Sequence, residues 1–222
     1  MMNGLIWFIG SVLPYAALLA LTVGIVGRAM RWKLMPKSVH WTFFPPPPTL
    51  MAQARFMAAE IFTFHAVWKR NKVLWIGAWT FHVSMAILVV WLLLMLCGVF
   101  QAWLCWLGAI LMGVTSAYLI VYRLVKPEAR ALSTPVEFFN LGFFLLIVLV
   151  SGAMVFFQQP SLEEIRRYLL DILAFRSPTP PQATLFFLLL FLVELLIIYF
   201  PFSRMIHMVS KYFAFHTINW GH

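Results

Sequence analysis

The sequence predicts an all-α integral membrane protein, a bundle of five transmembrane helices. Hydrophobic residues make up 63% of its 222 residues and charged residues only 10%, whereas soluble proteins are about half apolar and a quarter charged. The apolar residues come in blocks long enough for helices that cross a bilayer core, which takes about 20 residues for ~30 Å. The excess of 16 basic over 7 acidic residues lies beside these blocks, so it indicates topology rather than nucleic-acid binding.

The five blocks are predicted to be the spans of a single membrane domain that comprises residues 1–222. Their predicted boundaries are 5–27, 73–100, 103–122, 135–157 and 183–209. Thirteen Lys and Arg residues lie after the first and third blocks and at the C-terminal end of the fifth, against none between the second and third blocks and three after the fourth. By the positive-inside rule we expect the N-terminus outside and the C-terminus in the cytoplasm.

The connection between the first two spans has two parts. Four prolines at residues 45–48 exclude a helix there and favour an extended chain. Residues 51–70 then mix apolar side chains with Arg55, Glu60, Lys69 and Arg70. This pattern predicts an amphipathic interfacial helix on the inner membrane face.

The later connections carry two helix signals. Thr134, Pro135 and Glu137 stand in the order of an N-cap, a first helical residue and a capping-box acid, so Glu137 is predicted to be a cap rather than a catalyst. Residues 158–182 combine charged and apolar side chains ahead of a proline-rich stretch. They predict a short amphipathic helix, either a cap over the bundle or a surface for an outer partner.

The two cysteines, Cys97 and Cys105, cannot supply a zinc or iron–sulfur ligand set. They could form a disulfide if their connection faces an oxidising compartment, but buried inert thiols are the favoured interpretation. Phosphate loops, HExxH and a Ser/His/Asp grouping are absent from the sequence. Any metal is therefore expected to be held by histidine.

Two of the six histidines, His82 and His207, fall within predicted spans. His82 follows the cytoplasmic start of the second span by nine residues, which is ~13 Å of helix rise. His207 precedes Lys211 by four residues, and Lys211 is expected to reach the same interface. Both imidazoles are thus predicted in the inner half of the membrane.

Two histidines on facing helices predict a bis-histidine site for one b-type haem. Nearby side chains would form an apolar slot for the macrocycle: Trp79, Phe81, Met85, Phe202, Met205 and Met208. Arg204, close to His207, could pair with a haem propionate. The alternative is that each histidine only hydrogen-bonds across helices.

Glu194 is an acidic residue near the middle of the fifth span. It is expected to be protonated and to face the bundle interior, because a charge there is costly. Two roles stay open for it, proton exchange with a quinone or a structural hydrogen bond between helices.

Three stretches resemble the cytochrome b gamma subunit of respiratory nitrate reductase and its relatives in sulfur-metabolism complexes. They are Leu13-Pro14-Tyr15 with Gly27-Arg28, Tyr122-Arg123-Leu124-Val125-Lys126-Pro127, and Phe200-Pro201-Phe202-Ser203-Arg204-Met205-Ile206-His207. The basic stretch 64–70 makes the chain look most like the cytochrome b subunit of the high-molecular-weight cytochrome c transmembrane complex. Subunits associated with sulfite reductase and heterodisulfide reductase are similar alternatives.

This resemblance implies that His82 and His207 hold the haem nearer a cytoplasmic iron–sulfur subunit. The ligands of the family's second haem would fall at Leu92 and Leu189, which cannot bind iron, so one haem is expected. His65 and His216 are a weaker candidate pair for a second haem. The resemblance further implies a non-autonomous subunit of an oxidoreductase complex in the bacterial inner membrane, with other membrane subunits and a periplasmic multihaem cytochrome c.

Three functions follow from these observations. The leading hypothesis is a redox subunit that passes electrons between a quinone pool, or a neighbouring membrane subunit, and the iron–sulfur partner. Menaquinone could meet it near Glu194 or near Lys72 and Arg28. A haem-free membrane anchor is the main alternative, and a transporter is the third.

Overall fold

The computed structural model describes residues 4–34, 45–157, 160–207 and 210–211, and this part of the chain is helical without strands. Five of its helices are long and apolar enough to cross a membrane. These observations confirm the predicted all-α, five-helix membrane fold, and the chain is a multi-pass membrane protein.

Nine helices are labelled along the described residues. Those with the length and hydropathy of spans are α1 (Gly4–Leu34), α4 (Lys72–Leu96), α5 (Ala102–Val125), α7 (Pro135–Phe156) and α9 (Thr184–Tyr199, extended to Phe202 by a 3-10 turn). The shorter helices are α2 (Leu50–Phe62), α3 (His65–Arg70), α6 (Pro127–Ala131) and α8 (Leu162–Leu173). Within α1, Phe8–Val12 forms a π-helical turn.

The chain divides into two compact units. The first comprises residues 1–14 and 69–193, and the second comprises residues 15–68 and 194–222. Helices α1 and α9 each contribute to both units, because the division falls after Pro14 in α1 and after Val193 in α9.

The first unit is built on the packing of α4 against α5. Gly77 permits their close approach, since a Cβ at this position would lie 2.5 Å from carbons of the Tyr118 ring. The Tyr118 hydroxyl donates a 2.9 Å hydrogen bond to the carbonyl of Val73. Asn71 caps α4 and donates a 2.8 Å bond to the Tyr122 hydroxyl. These bonds hold the start of α4 beside the end of α5.

The helix α8 closes the opposite end of the first unit. Its Arg166 donates from Nε to the carbonyl of Leu96 at 3.2 Å. Tyr168, only 1% exposed, donates from its hydroxyl to the carbonyl of Gly10 at 3.1 Å. The predicted short amphipathic helix is therefore present, and it packs on the bundle through its apolar face.

The predicted cap of the fourth span is confirmed at the start of α7. Glu137 accepts a 2.7 Å hydrogen bond from the backbone N–H of Thr134 and another from the Thr134 hydroxyl. The carboxylate is thereby used to satisfy the helix N-terminus.

The prediction of one interfacial helix over residues 51–70 is wrong, because this stretch forms two helices, α2 and α3. α2 begins at its Thr49 cap and ends at Phe62, and Phe64 has a positive φ of 50°. The Glu60 carboxylate accepts a 3.0 Å bond from the N–H of Ala66 in the first turn of α3. This bond stabilises the corner and explains why the chain does not continue as one helix.

The predicted end of the fifth span at residue 209 is also wrong. α9 ends at Tyr199, and the 3-10 turn Phe200–Phe202 leads to an extended Ser203 with φ −96° and ψ 178°. Pro201 has no N–H to donate, and its ring clashes with the carbonyl four residues before it in a continuous helix. A second 3-10 turn, Arg204–Ile206, then precedes His207.

Candidate functional site

His82 lies in α4 and is partly buried. Its ring Nδ1 is 2.7 Å from the backbone carbonyl of Ala78, one turn earlier. A carbonyl only accepts hydrogen bonds, so Nδ1 must carry the proton in this contact. The lone pair is then on Nε2, the usual arrangement in a histidine that binds a metal through Nε2.

The aromatic residues near His82 comprise a buried phenylalanine and a half-buried pair of tryptophans. Phe81 is 7% exposed and packs edge-on against Phe144 of α7, with ring centroids 5.2 Å apart. Trp79 stacks on Trp75 at 5.3 Å. Phe81 therefore belongs to the packing between α4 and α7, although its ring also meets His82 edge-on at 5.6 Å.

His207 follows the second 3-10 turn and is exposed, so it lies beyond the α-helical part of the fifth span. Its Nδ1 is 3.2 Å from the carbonyl of Arg204. As at His82, the acceptor is a backbone carbonyl, so the proton is on Nδ1 and the lone pair on Nε2. The two histidines thus share one tautomer, each fixed by the turn that precedes it.

The remaining predicted site residues lie in the second unit together with His207. Arg204 is exposed and begins the second 3-10 turn. Its own backbone carbonyl is the one that His207 contacts. His82 belongs to the first unit. The pairing of His82 with His207 therefore rests on their positions in the sequence.

Glu194 is 2% exposed in α9. Neither of its carboxylate oxygens has a hydrogen-bond partner among the described residues. A structural bond between helices, one of its two predicted roles, is not formed within this part of the chain. Burial of an unbonded polar group costs free energy, which favours a functional reason for the residue.

Other predicted ligands are placed only in part. His65 begins α3 and is exposed, and Leu92 and Leu189 lie in α4 and α9. His40, His216, His222 and Met208 lie outside the described residues. Cys97 and Cys105 are free thiols, the first exposed at the end of α4.

Sequence reasoning missed two polar contacts near His207. Arg28 donates to the carbonyls of Phe202 and Ser203, and Glu60 pairs with Lys211. The proline at 201 was the available signal for the first contact, because a broken helix leaves carbonyls that need donors. Nothing local in the sequence pairs Glu60 with Lys211.

Comparison with known proteins adds no further assignment. No family model matches the chain, and a search of curated proteins finds no match.

Proposed function

We propose that this chain is a haem b-containing membrane subunit of a respiratory electron-transfer complex, in which His82 and His207 would hold one haem. The observation that carries the proposal is that each of the two histidines has its Nδ1 within hydrogen-bond distance of a backbone carbonyl. Each Nδ1 contacts a backbone carbonyl, so each Nε2 has the lone pair that a metal ligand needs. The two side chains therefore fit the chemistry of haem ligation.

Within this proposal the chain's own residues bind and orient the group. His82 and His207 hold it, and the exposed Arg204 provides a guanidinium for a propionate. When bound, the haem supplies a one-electron redox centre. Glu194, buried without a hydrogen-bond partner among the described residues, holds or releases a proton where a menaquinone-type carrier would meet the chain.

The partners belong to the same proposal and rest on the sequence resemblance. Electrons would pass between a quinone pool or neighbouring membrane subunit and a cytoplasmic iron–sulfur subunit, with a periplasmic multihaem cytochrome c in the complex. The location would be a bacterial inner membrane. The length and apolar composition of the five spans support lipid contact in any such complex.

The test is a reduced-minus-oxidised spectrum with pyridine-haemochrome quantitation on the purified chain or complex. Wild type is compared with His82→Ala, His207→Ala and, as a matched control, His65→Ala, which removes an exposed histidine of α3. Size-exclusion chromatography checks that each variant remains folded. We expect one haem b per chain in wild type and His65→Ala, and loss of haem in the other two.

Four outcomes would contradict the proposal. A colourless wild-type chain leaves the haem-free anchor as the function. Haem that persists in either His82→Ala or His207→Ala removes that residue as a ligand. Two haems per chain, or loss of haem in His65→Ala, would mean that ligands such as His65 and His216 take part.

A further inference from the structure

We propose that Arg28 and Glu60 are positioning residues, which bond the chain at Phe202–Ser203 and at Lys211, on either side of His207, and thereby fix the direction of His207. The inference rests on the proposed function in one respect, that His207 is a haem ligand. Its structural part concerns the second unit alone, since all the residues involved belong to residues 15–68 and 194–222.

The segment needs such support because α9 does not reach His207. The helix ends at Tyr199, and the extended Ser203 interrupts the backbone hydrogen bonds between α9 and the turn Arg204–Ile206. A side chain in a continuous helix is oriented by that helix. His207 instead follows the 3-10 turn Arg204–Ile206 and is itself helical, so its direction depends on what contacts the chain on either side of it.

Arg28 provides the first contact. Its Nη2 donates to the carbonyl of Phe202 at 2.9 Å and its Nη1 to the carbonyl of Ser203 at 3.3 Å. One guanidinium therefore satisfies two successive carbonyls at the break. The planar fork of arginine suits this geometry, whereas the single ammonium of lysine does not reproduce it.

Gly24 brings α1 close enough for this contact. A Cβ at Gly24 would lie 2.6 Å from the Pro201 ring. Gly24 and Arg28 are four residues apart in α1, so they share one face of the helix. The same face thus contacts Pro201 and bonds the backbone just after it.

Glu60 provides the second contact. Its side chain is 7% exposed, and Oε2 accepts a 3.0 Å bond from Nζ of Lys211. The same Nζ lies 3.2 Å from the backbone carbonyl of Glu60, and Oε1 accepts from the N–H of Ala66. A buried carboxylate with these partners fixes Lys211 to the corner between α2 and α3.

His207 lies between the two contacts, and two of its bonds are made within its own part of the chain. Nδ1 contacts the carbonyl of Arg204, and the Ser210 hydroxyl donates to the carbonyl of His207 at 3.0 Å. Release of either end would remove one of the two bonds that tie this part of the chain to α1 and to the corner between α2 and α3. The haem would then meet a ligand of variable direction.

The first experiment needs no haem. In a Cys97→Ser/Cys105→Ser background, a nitroxide at Met205→Cys reports the mobility of the turn by EPR. We expect greater mobility in Arg28→Ala, Glu60→Ala and Glu60→Gln, the last of which keeps an acceptor for Ala66 but loses the charge. The exposed Arg31 and Glu128 provide matched controls, Arg31→Ala and Glu128→Ala, which should leave the mobility unchanged.

The second experiment uses the haem-loaded protein. We expect Arg28→Ala and Glu60→Gln to lower haem b content at least twofold and to shift or broaden the low-spin EPR signal and the midpoint potential. Arg28→Lys should restore these properties only in part, because one ammonium cannot bond both carbonyls in the same way. The control variants should match wild type.

The outcomes separate this proposal from the proposed function. If haem b depends on His82 and His207 while mobility and spectra are unchanged in the Arg28 and Glu60 variants, the positioning role is overturned and the haem site stands. If wild type holds no haem b, the proposed function fails. The mobility measurement on the haem-free chain still decides whether the two contacts hold the segment.

Discussion

Glu194 is an ionisable side chain in a buried position, where an unbonded polar group is costly. It is 2% exposed, and both carboxylate oxygens are buried without a hydrogen-bond partner among the described residues. Leaving a buried polar group unbonded costs about 1–3 kcal/mol. A residue kept at such a cost for structure alone would be replaceable by an apolar one with a gain in stability.

We therefore predict that Glu194→Leu raises the free energy of unfolding by about 1–3 kcal/mol, since it removes that cost. Thermal unfolding of the purified chain in detergent measures the change. Glu128→Leu, at an exposed position of α6, controls for a general effect of greater hydrophobicity. A clear loss of stability in Glu194→Leu would show that the carboxyl has a structural partner.

At the scale of residues, the sequence indicates ionisable side chains that are costly to place in a membrane. It does not indicate residues whose bonding partners are far away in the sequence. His82, His207 and Glu194 are predicted as candidate site residues because ionisable side chains are rare in apolar stretches. Arg28 and Ser203 are 175 positions apart, and nothing local in the sequence indicates their bond. The contact of Glu60 with Lys211, 151 positions apart, was missed for the same reason.

At the scale of helices, the closest approach between α4 and α5 depends on Gly77. A Cβ there would lie 2.5 Å from the Tyr118 ring and 2.9 Å from Leu119. The ring cannot move away freely, because its hydroxyl is bonded to Val73. We predict that Gly77→Ala lowers the free energy of unfolding by about 1–3 kcal/mol, the usual cost of overpacking.

Thermal unfolding of Gly77→Ala and Gly142→Ala would test this prediction. Gly142 lies in α7, and an added Cβ there meets nothing within 4 Å. We expect Gly142→Ala to be neutral or stabilising, because alanine favours helix. Equal effects of the two substitutions would contradict the proposed contact between α4 and α5.

The cap of α8 gives this helix a dependence on pH. The Ser161 hydroxyl, and then its backbone N–H, hold the pKa of Glu164 below its ordinary value. The Arg167 guanidinium lowers the pKa of Glu163 in the same way. A lowered carboxyl pKa contributes stability above the ordinary pKa of about 4 and loses it as the pH falls through the lowered value.

We predict that amides in the first turn of α8 exchange faster in Ser161→Ala than in wild type at neutral pH, by roughly fivefold for a typical cap. In wild type, exchange corrected for its intrinsic pH dependence should increase only below about pH 4. Hydrogen–deuterium exchange with mass spectrometry measures both effects. Exchange unchanged by the substitution would exclude the cap as a source of stability.

Helix ends were predictable where the signal is local. The Thr134 cap with Glu137 was recognised because all its parts lie within four residues. The predicted end of the fifth span, residue 209, lies beyond the end of α9 at Tyr199. Apolar residues continue past Pro201, and hydropathy measures only how apolar the residues are, not whether the helix is continuous. The division between α2 and α3 was missed because the bond from Ala66 to Glu60 overrides a continuous amphipathic pattern.

At the scale of the whole molecule, the number and order of spans were predictable from the sequence because the bilayer sets a minimum length of apolar helix. The orientation is predicted from charge alone. Cys97 offers a direct test, since it is exposed at the end of α4 and lies in the connection that has no basic residue. This connection is expected to face outward.

We predict that a membrane-impermeant maleimide labels Cys97 in intact cells carrying Cys105→Ser. A matched variant, Cys97→Ser/Cys105→Ser with Lys126→Cys, places a thiol at the exposed end of α5. This thiol should react only after the membrane is permeabilised. The reverse pattern would invert the topology and place both predicted histidine sites in the outer half of the membrane.

Because Ser203 is extended, a rotation of α9 about its axis is not passed on to His207. In a continuous helix, one inserted residue turns every later side chain by about 100° around the axis. Here the backbone is interrupted before the turn Arg204–Ile206, and Arg28 bonds the chain at that interruption. An insertion or deletion within α9 would be taken up by the start of that helix, so the length of the span can vary while the direction of His207 stays the same.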